Sequence, residues 1–181
     1  MTINGFVKAN SMNYQPGRTG GIQFLVIHYT ANDGDKAKSN VNFFANNTPK
    51  SSAHYFVDEN EIWQSIEDKD TAWHCGQGGM PSIVHPDCRN NNSIGIEMCS
   101  RKNADKTYYI KPEVVERTVH LTAMLAKKHK ISLENIIRHW DVTRKVCPAP
   151  FVNSAVKTGE MADGKAQWSA FLKRAGELIS Q

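Results

Sequence analysis

A histidine and a cysteine eight positions apart, in Arg138-His139-Trp140-Asp141-Val142-Thr143-Arg144-Lys145-Val146-Cys147-Pro148-Ala149-Pro150, are the densest chemical signal in the chain. His28, near the end of the apolar run 22–29, adds a second imidazole. Two imidazoles and one thiolate suit a catalytic zinc, which takes three protein ligands and keeps a fourth position open, whereas structural zinc closes all four. Each residue alone reads more simply as a buried core side chain; the three together favour a metal site. Pro148 and Pro150 impose extended or turn geometry around Cys147. In an extended segment residues i and i−2 face one side, so Lys145 and Cys147 are expected in one pocket, with an ammonium beside the metal.

Five blocks in order carry a resemblance: Val26-Ile27-His28-Tyr29-Thr30, Ser52-Ala53-His54-Tyr55, Ala72-Trp73-His74, Ser93-Ile94-Gly95-Ile96-Glu97, and His139 with Lys145-Val146-Cys147-Pro148. Between residues 22 and 150 the chain resembles the zinc-dependent N-acetylmuramoyl-L-alanine amidases, a superfamily of phage endolysins, muropeptide-recycling amidases and peptidoglycan recognition proteins. The resemblance implies one zinc ion on His28, His139 and Cys147, Lys145 as catalytic lysine, and cleavage of the sugar–peptide bond of peptidoglycan. It also implies an α/β domain with a central mixed sheet flanked by helices.

Some phage members place a catalytic tyrosine just before the histidine matched by His54, where this chain has Ala53. Members with alanine there are similar to this chain in carrying a glutamate at the place of Glu97. Glu97 is therefore the expected general base, with Tyr55, on the other side of His54, as its substitute. Glu97 would pass the water's proton to the departing nitrogen, and Lys145 would stabilise the oxyanion. Trp73 and His74 suit the stacking and hydrogen bonding of a sugar or stem-peptide groove, and Tyr29 and His54 are grouped with them as substrate-binding candidates. His54, on a central strand, equally suits a structural role.

These residues need a scaffold. The run 22–29 reads as a strand buried on both faces, after an irregular leader ending at Gly20-Gly21. Ala37, Val41 and Phe44 fall at helical spacing within 35–46. Segments 53–58 and 62–66 flank Glu59-Asn60-Glu61 as a hairpin, 93–99 is a further strand, and 76–92 is a long Gly/Pro/Asn-rich loop. Pro112 opens a helix reaching about His129, and a last helix from about 165 to 179 carries Trp168, Phe171, Ala175 and Leu178 on one stripe. Strands interleaved with helices give one α/β domain over residues 1–181, with its core at about 20–155.

At 181 residues, 40% hydrophobic and 22% charged, the chain can bury a sizeable core. Its net charge of +4, from 22 basic and 18 acidic residues, favours an anionic polymer. The basic residues form no run and no aromatic-interleaved stripe, so nucleic acid is not the expected partner. No stretch has the ~20 apolar residues of a membrane span, and 1–20 lacks the pattern of a secretory leader. The chain is expected to be a monomer made in the cytoplasm, acting on the cell wall after release or holin-type export. Cys75, Cys88 and Cys99 read as individual thiols. A second zinc on His74-Cys75 and His85-Cys88 is disfavoured because adjacent residues on a strand splay to opposite faces. A Cys75–Cys88 disulfide formed after release is the minor alternative. His120 and His129 need only the polar face of a helix.

Overall fold

The computed structural model describes residues 2–76, 83–152 and 164–181. Its strands are β1 (Gly5–Phe6), β2 (Tyr14–Gln15), β3 (Phe24–Tyr29), β4 (Tyr55–Val57), β5 (Ile62–Gln64), β6 (Thr71–Ala72), β7 (Ser93–Met98), β8 (Arg101–Lys102), β9 (Tyr108–Tyr109) and β10 (Ile136–Arg138). Its helices are α1 (Ala37–Asn46), α2 (Pro112–His129), α3 (His139–Thr143) and α4 (Gly164–Ser180).

Six strands form one mixed sheet in the order β1-β5-β4-β7-β3-β10. β4, β7, β3 and β10 run parallel, so their C-terminal ends share one edge, while β5 is antiparallel to β4. β2 pairs with β6 and β8 with β9 in separate ribbons. The α/β architecture is the expected one.

Side-chain alternation sorts each central strand between two faces. Leu25, Ile27, Tyr55, Val57, Ile94, Ile96 and Met98 pack with Leu121 and Leu125 of α2 and Phe171 of α4. On the other face Phe24, Val26 and Ile137 meet Cys75, Cys88 and Val142, and Ala53 and Phe56 meet Ala37 and Val41 of α1. Leu25, Val26 and Ile27 are all fully buried, which explains the unbroken apolar run of β3. α2 starts with Pro112 in its first turn and ends on Lys130 in the left-handed region at φ 56°, with Lys127, Lys128 and His129 facing the negative end of the helix dipole.

The leader differs from its irregular reading. β1 adds to the sheet edge beside β5, β2 pairs with β6, and Ala9, Asn13 and Tyr14 are buried. Two-residue strands are too short for a hydrophobic period to register. The short β10 and α3 escape the sequence reading for the same reason. Within the loop 76–92, residues 77–82 lie outside the described residues; the remainder is irregular apart from the turn Asn90–Asn92. Among the described residues no helix is long and apolar enough to cross a membrane.

Candidate metal centre

Alternation that sends Leu25 and Ile27 toward α2 sends Val26 and His28 to the opposite face. On neighbouring β7 the same rule sends Ser93, Gly95 and Glu97 to that face. His28 and Glu97 are register partners in the parallel ladder, so both stand at the C-terminal edge of the sheet. β10 runs directly into α3, whose first residue is His139. Arg138 fixes that junction. Its guanidinium grips Asp141 at 2.8 and 2.9 Å and donates to the Phe151 carbonyl at 2.6 Å. Trp140 donates its amide to the Cys147 carbonyl at 2.9 Å, tying the two ligand-bearing segments together.

The donor atoms of His28, His139 and Cys147 lie within 4.8 Å of one another, and all three residues are buried. Hydrogen bonds decide which imidazole nitrogens are free. Ser93 Oγ donates to the Arg89 carbonyl at 2.6 Å, so it accepts from His74 Nε2 at 3.1 Å. His74 Nδ1 is then an acceptor and takes the proton on His28 Nε2 at 3.0 Å. This leaves His28 Nδ1 as a lone pair, 3.7 Å from Cys147 Sγ. His139 donates from Nε2 to the Gly76 carbonyl at 3.0 Å, and its Nδ1 is buried without a partner. Two lone pairs and one sulfur thus converge, the donor set of a zinc site.

Charge supports the same reading. Burial holds His28 and His74 well below the usual imidazole range, with neighbouring imidazoles adding to the effect. Burial and then Lys145 hold His139 at about 4. These rings are therefore neutral near pH 7, the form in which an imidazole can bind a metal. Burial, then Glu97, pushes the Cys147 thiol far up, so the sulfur favours its ionised form only beside a cation. Glu97 is raised to about 7, chiefly by burial; Lys145 pulls it down and Asp35 pushes it up. Its Oε2 is buried with no hydrogen-bond partner.

A cavity of about 410 Å³ opens over these groups, with Tyr29, Trp73, Glu97, His139, Lys145 and Cys147 in its wall. A family model described as N-acetylmuramoyl-L-alanine amidase matches residues 17–150. The chain belongs to that family. The N-acetylmuramoyl-L-alanine amidase CwlL of Bacillus licheniformis is 34% identical over 184 residues, covering 98% of this chain and 47% of its own. The chain spans about half the length of the curated relatives it matches. Among solved structures, the catalytic domain of XlyA, a Bacillus subtilis protein, superposes with a TM-score of 0.72 at 26% identity, covering 97% of this chain and 100% of that one. AmiD of Escherichia coli, solved with anhydro-N-acetylmuramic acid-L-Ala-D-gamma-Glu-L-Lys, superposes at 0.55 with 24% identity over 86% of this chain and 59% of that one.

In this family member, Tyr29 and Trp73 line the cavity half-buried, as residues free to meet a ligand do. His74 borders the cavity but is only 6% exposed, and both its ring nitrogens are engaged. It stands behind His28. His54 is fully buried: its Nδ1 accepts from the Gly95 amide at 3.0 Å, and its ring lies edge-on to His74 at 5.7 Å. Tyr55 points to the α2 face and donates to Asp68 at 2.6 Å, away from the cavity.

Sequence reading assigned no role to Ser93 or Gly95. Both share the parity of Glu97 on β7, and that alternation was the available signal. Among the described residues His28, His139 and Cys147 are the one set of three close donors, so His74, Cys75, His85 and Cys88 form no second metal group. Cys75 and Cys88 are buried free thiols in one cluster with Phe24 and Val26, and Cys99 is a buried free thiol packed among apolar side chains.

Proposed function

We propose that this chain, as one catalytic unit over residues 1–181, hydrolyses the amide between N-acetylmuramic acid and L-alanine in peptidoglycan. One zinc ion is held by His28, His139 and Cys147. The convergence of two free Nδ1 lone pairs and a buried thiol with Glu97 and Lys145 on one cavity carries this reading. The muropeptide bound to the AmiD relative supports the substrate class.

Zinc in such a site supplies Lewis acidity, bringing the pKa of water to about 7 and polarising a carbonyl. The chain's own residues do the rest. Glu97, held near neutrality by burial, takes a proton from the attacking water and returns it to the departing alanine nitrogen. Lys145 offers an ammonium to the oxyanion of the tetrahedral intermediate. Trp73 and Tyr29 present aromatic surface to the sugar and stem peptide, while His74 and His54 keep the His28 ring and the Gly95 strand in place. The protein works as a monomer, without membrane insertion, and reaches the wall after release or holin-type export.

Digestion of purified peptidoglycan with and without chelator tests this. Chelator-sensitive release of N-terminal alanine without new reducing sugars is expected. New reducing ends would instead mark a glycosidase, and binding without hydrolysis would mark a recognition module. Faster cleavage of intact sacculi than of soluble fragments is expected of a lytic enzyme, and the reverse of a recycling one.

A further inference from the structure

The turn that follows α1 forms one wall of the cavity over the metal centre, with Phe44, Lys50 and Ser52 facing it beside Trp73. Asn13 of the leader, fully buried, holds this turn at four points. Its Nδ2 donates to the Phe44 and Asn47 carbonyls, both at 2.8 Å, and its Oδ1 accepts the Lys50 amide at 3.2 Å. Its carbonyl accepts the Ser52 hydroxyl at 2.8 Å, and Ser52 Oγ in turn accepts the Trp73 amide at 2.9 Å. Lys50 is thereby fixed at φ 56°, in the left-handed region that residues with a side chain rarely adopt. A glycine would sit there with less strain, yet the turn carries a long cation on the rim of the cavity.

Among the described residues the charged side chains of the cavity wall are Lys50, Lys145 and Glu97. Lys145 shares its segment with Cys147 and serves the reacting carbonyl. Lys50 has no carboxylate partner among the described residues. Carboxylates on the elements around the wall are engaged elsewhere. Asp35 accepts from Thr30 at 3.1 Å and Asn40 at 2.6 Å, and Asp70 accepts the Gly17 amide at 2.8 Å. Asp68 takes Tyr55, Lys128 and His129 at 2.6–2.9 Å.

A stem that begins L-Ala-D-γ-Glu is linked through the γ-carboxyl, which leaves the α-carboxylate of its second residue free. Two extended residues span about 7 Å, so this anion stands about that far from the scissile carbonyl. A cavity of about 410 Å³ contains such a span.

We propose that Lys50 is a specificity residue of the substrate site, its ammonium receiving the free α-carboxylate of the second stem residue and so setting the peptide's register against the metal. This rests on the amidase reading above.

The test compares two soluble muramoyl tripeptides that differ only in whether the second residue carries an α-carboxylate or an α-carboxamide. Binding is measured by calorimetry on the full chain with zinc added and Glu97→Gln present to stop turnover. The carboxylate form is expected to bind about 5-fold tighter, the scale of a partly exposed ion pair. Lys50→Gln should erase that preference by weakening the carboxylate form alone, and Lys50→Arg should keep it. Lys50→Gly, which suits the left-handed backbone, should melt no lower than the parent and still lose the preference, which a merely structural lysine would not do. Equal binding of the two forms, no binding of either, or a preference that survives Lys50→Gln would overturn the proposal. Alanine release by the chain with Glu97 intact is scored separately. Release from both forms without discrimination leaves the amidase reading standing and removes Lys50, whereas a Lys50-dependent preference without any release removes the amidase reading and leaves the carboxylate site.

Discussion

His28 Nε2 and His74 Nδ1 lie 3.0 Å apart, and this contact turns the other nitrogen of His28 toward Cys147 and His139. Partners behind a metal-bound imidazole fix its tautomer and typically contribute 10–100-fold in metal affinity. His74→Ala should therefore weaken zinc binding by about that factor, read by competition with a chromophoric chelator. Unchanged affinity would show that the His28 ring needs no such support.

Gly95 should behave like a neighbour of the metal site, although it carries no side chain. A Cβ there would meet the His74 ring at 2.6 Å. Gly95→Ala is expected to cost ~1–3 kcal/mol through overpacking and to lower zinc affinity with it. Thermal melts of the chelated protein beside the same metal competition separate the two effects.

Lys145 and Cys147 share a cavity but not a task. Lys145→Ala is expected to retain one zinc per chain by metal analysis while kcat falls about 10²–10³-fold. Cys147→Ser should lose both metal and turnover. A normal rate in Lys145→Ala would remove the lysine from the mechanism.

Burial of Glu97 carries a pH signature in the chelated protein. Its folded pKa is raised, from 4.5 to about 7, so the neutral acid is the form the fold favours. Stability from this group is full below about 4.5 and is lost as pH rises through about 7, by up to ~3 kcal/mol. The melting temperature of Glu97→Gln relative to the parent should consequently rise between pH 5 and 8. A constant difference across that range would place the ionised carboxylate in a better-solvated site.

Tyr55 offers the contrasting case. Its hydroxyl donates to Asp68 at 2.6 Å on the far face of the sheet. Tyr55→Phe should cost ~1–3 kcal/mol of stability, since a hydrogen bond to a charged group is lost, and leave kcat unchanged; a large loss of kcat would reopen its candidacy as the base.

The chemistry was legible early because ligand type and spacing are local properties. His139 to Cys147, the prolines after it and the run ending in His28 named the donors before any fold was known. Strong periodicity likewise placed α1, α2 and α4, because a repeat over ten or more residues exceeds the noise of individual propensities, and an unbroken apolar run placed the buried β3. The docked leader, β10 and α3 were not legible. They hold two to five residues each, and their pairing energy comes from partners distant in sequence.

Long-range geometry also decides which side chains stand around the candidate metal centre. The residue types at His54, His74 and Tyr55 are equally compatible with touching substrate, bracing a ligand or filling the core. Only the registers β3–β7 and β4–β7 decided among these, by bringing Ser93, Gly95 and Glu97 onto the face of His28 and turning Tyr55 to the other. The sequence by itself determined which residues could bind a metal. Which nitrogen of each ring stayed free for it depended on Arg89, Ser93, His74 and Gly76, residues that meet the ligands only after the sheet has closed.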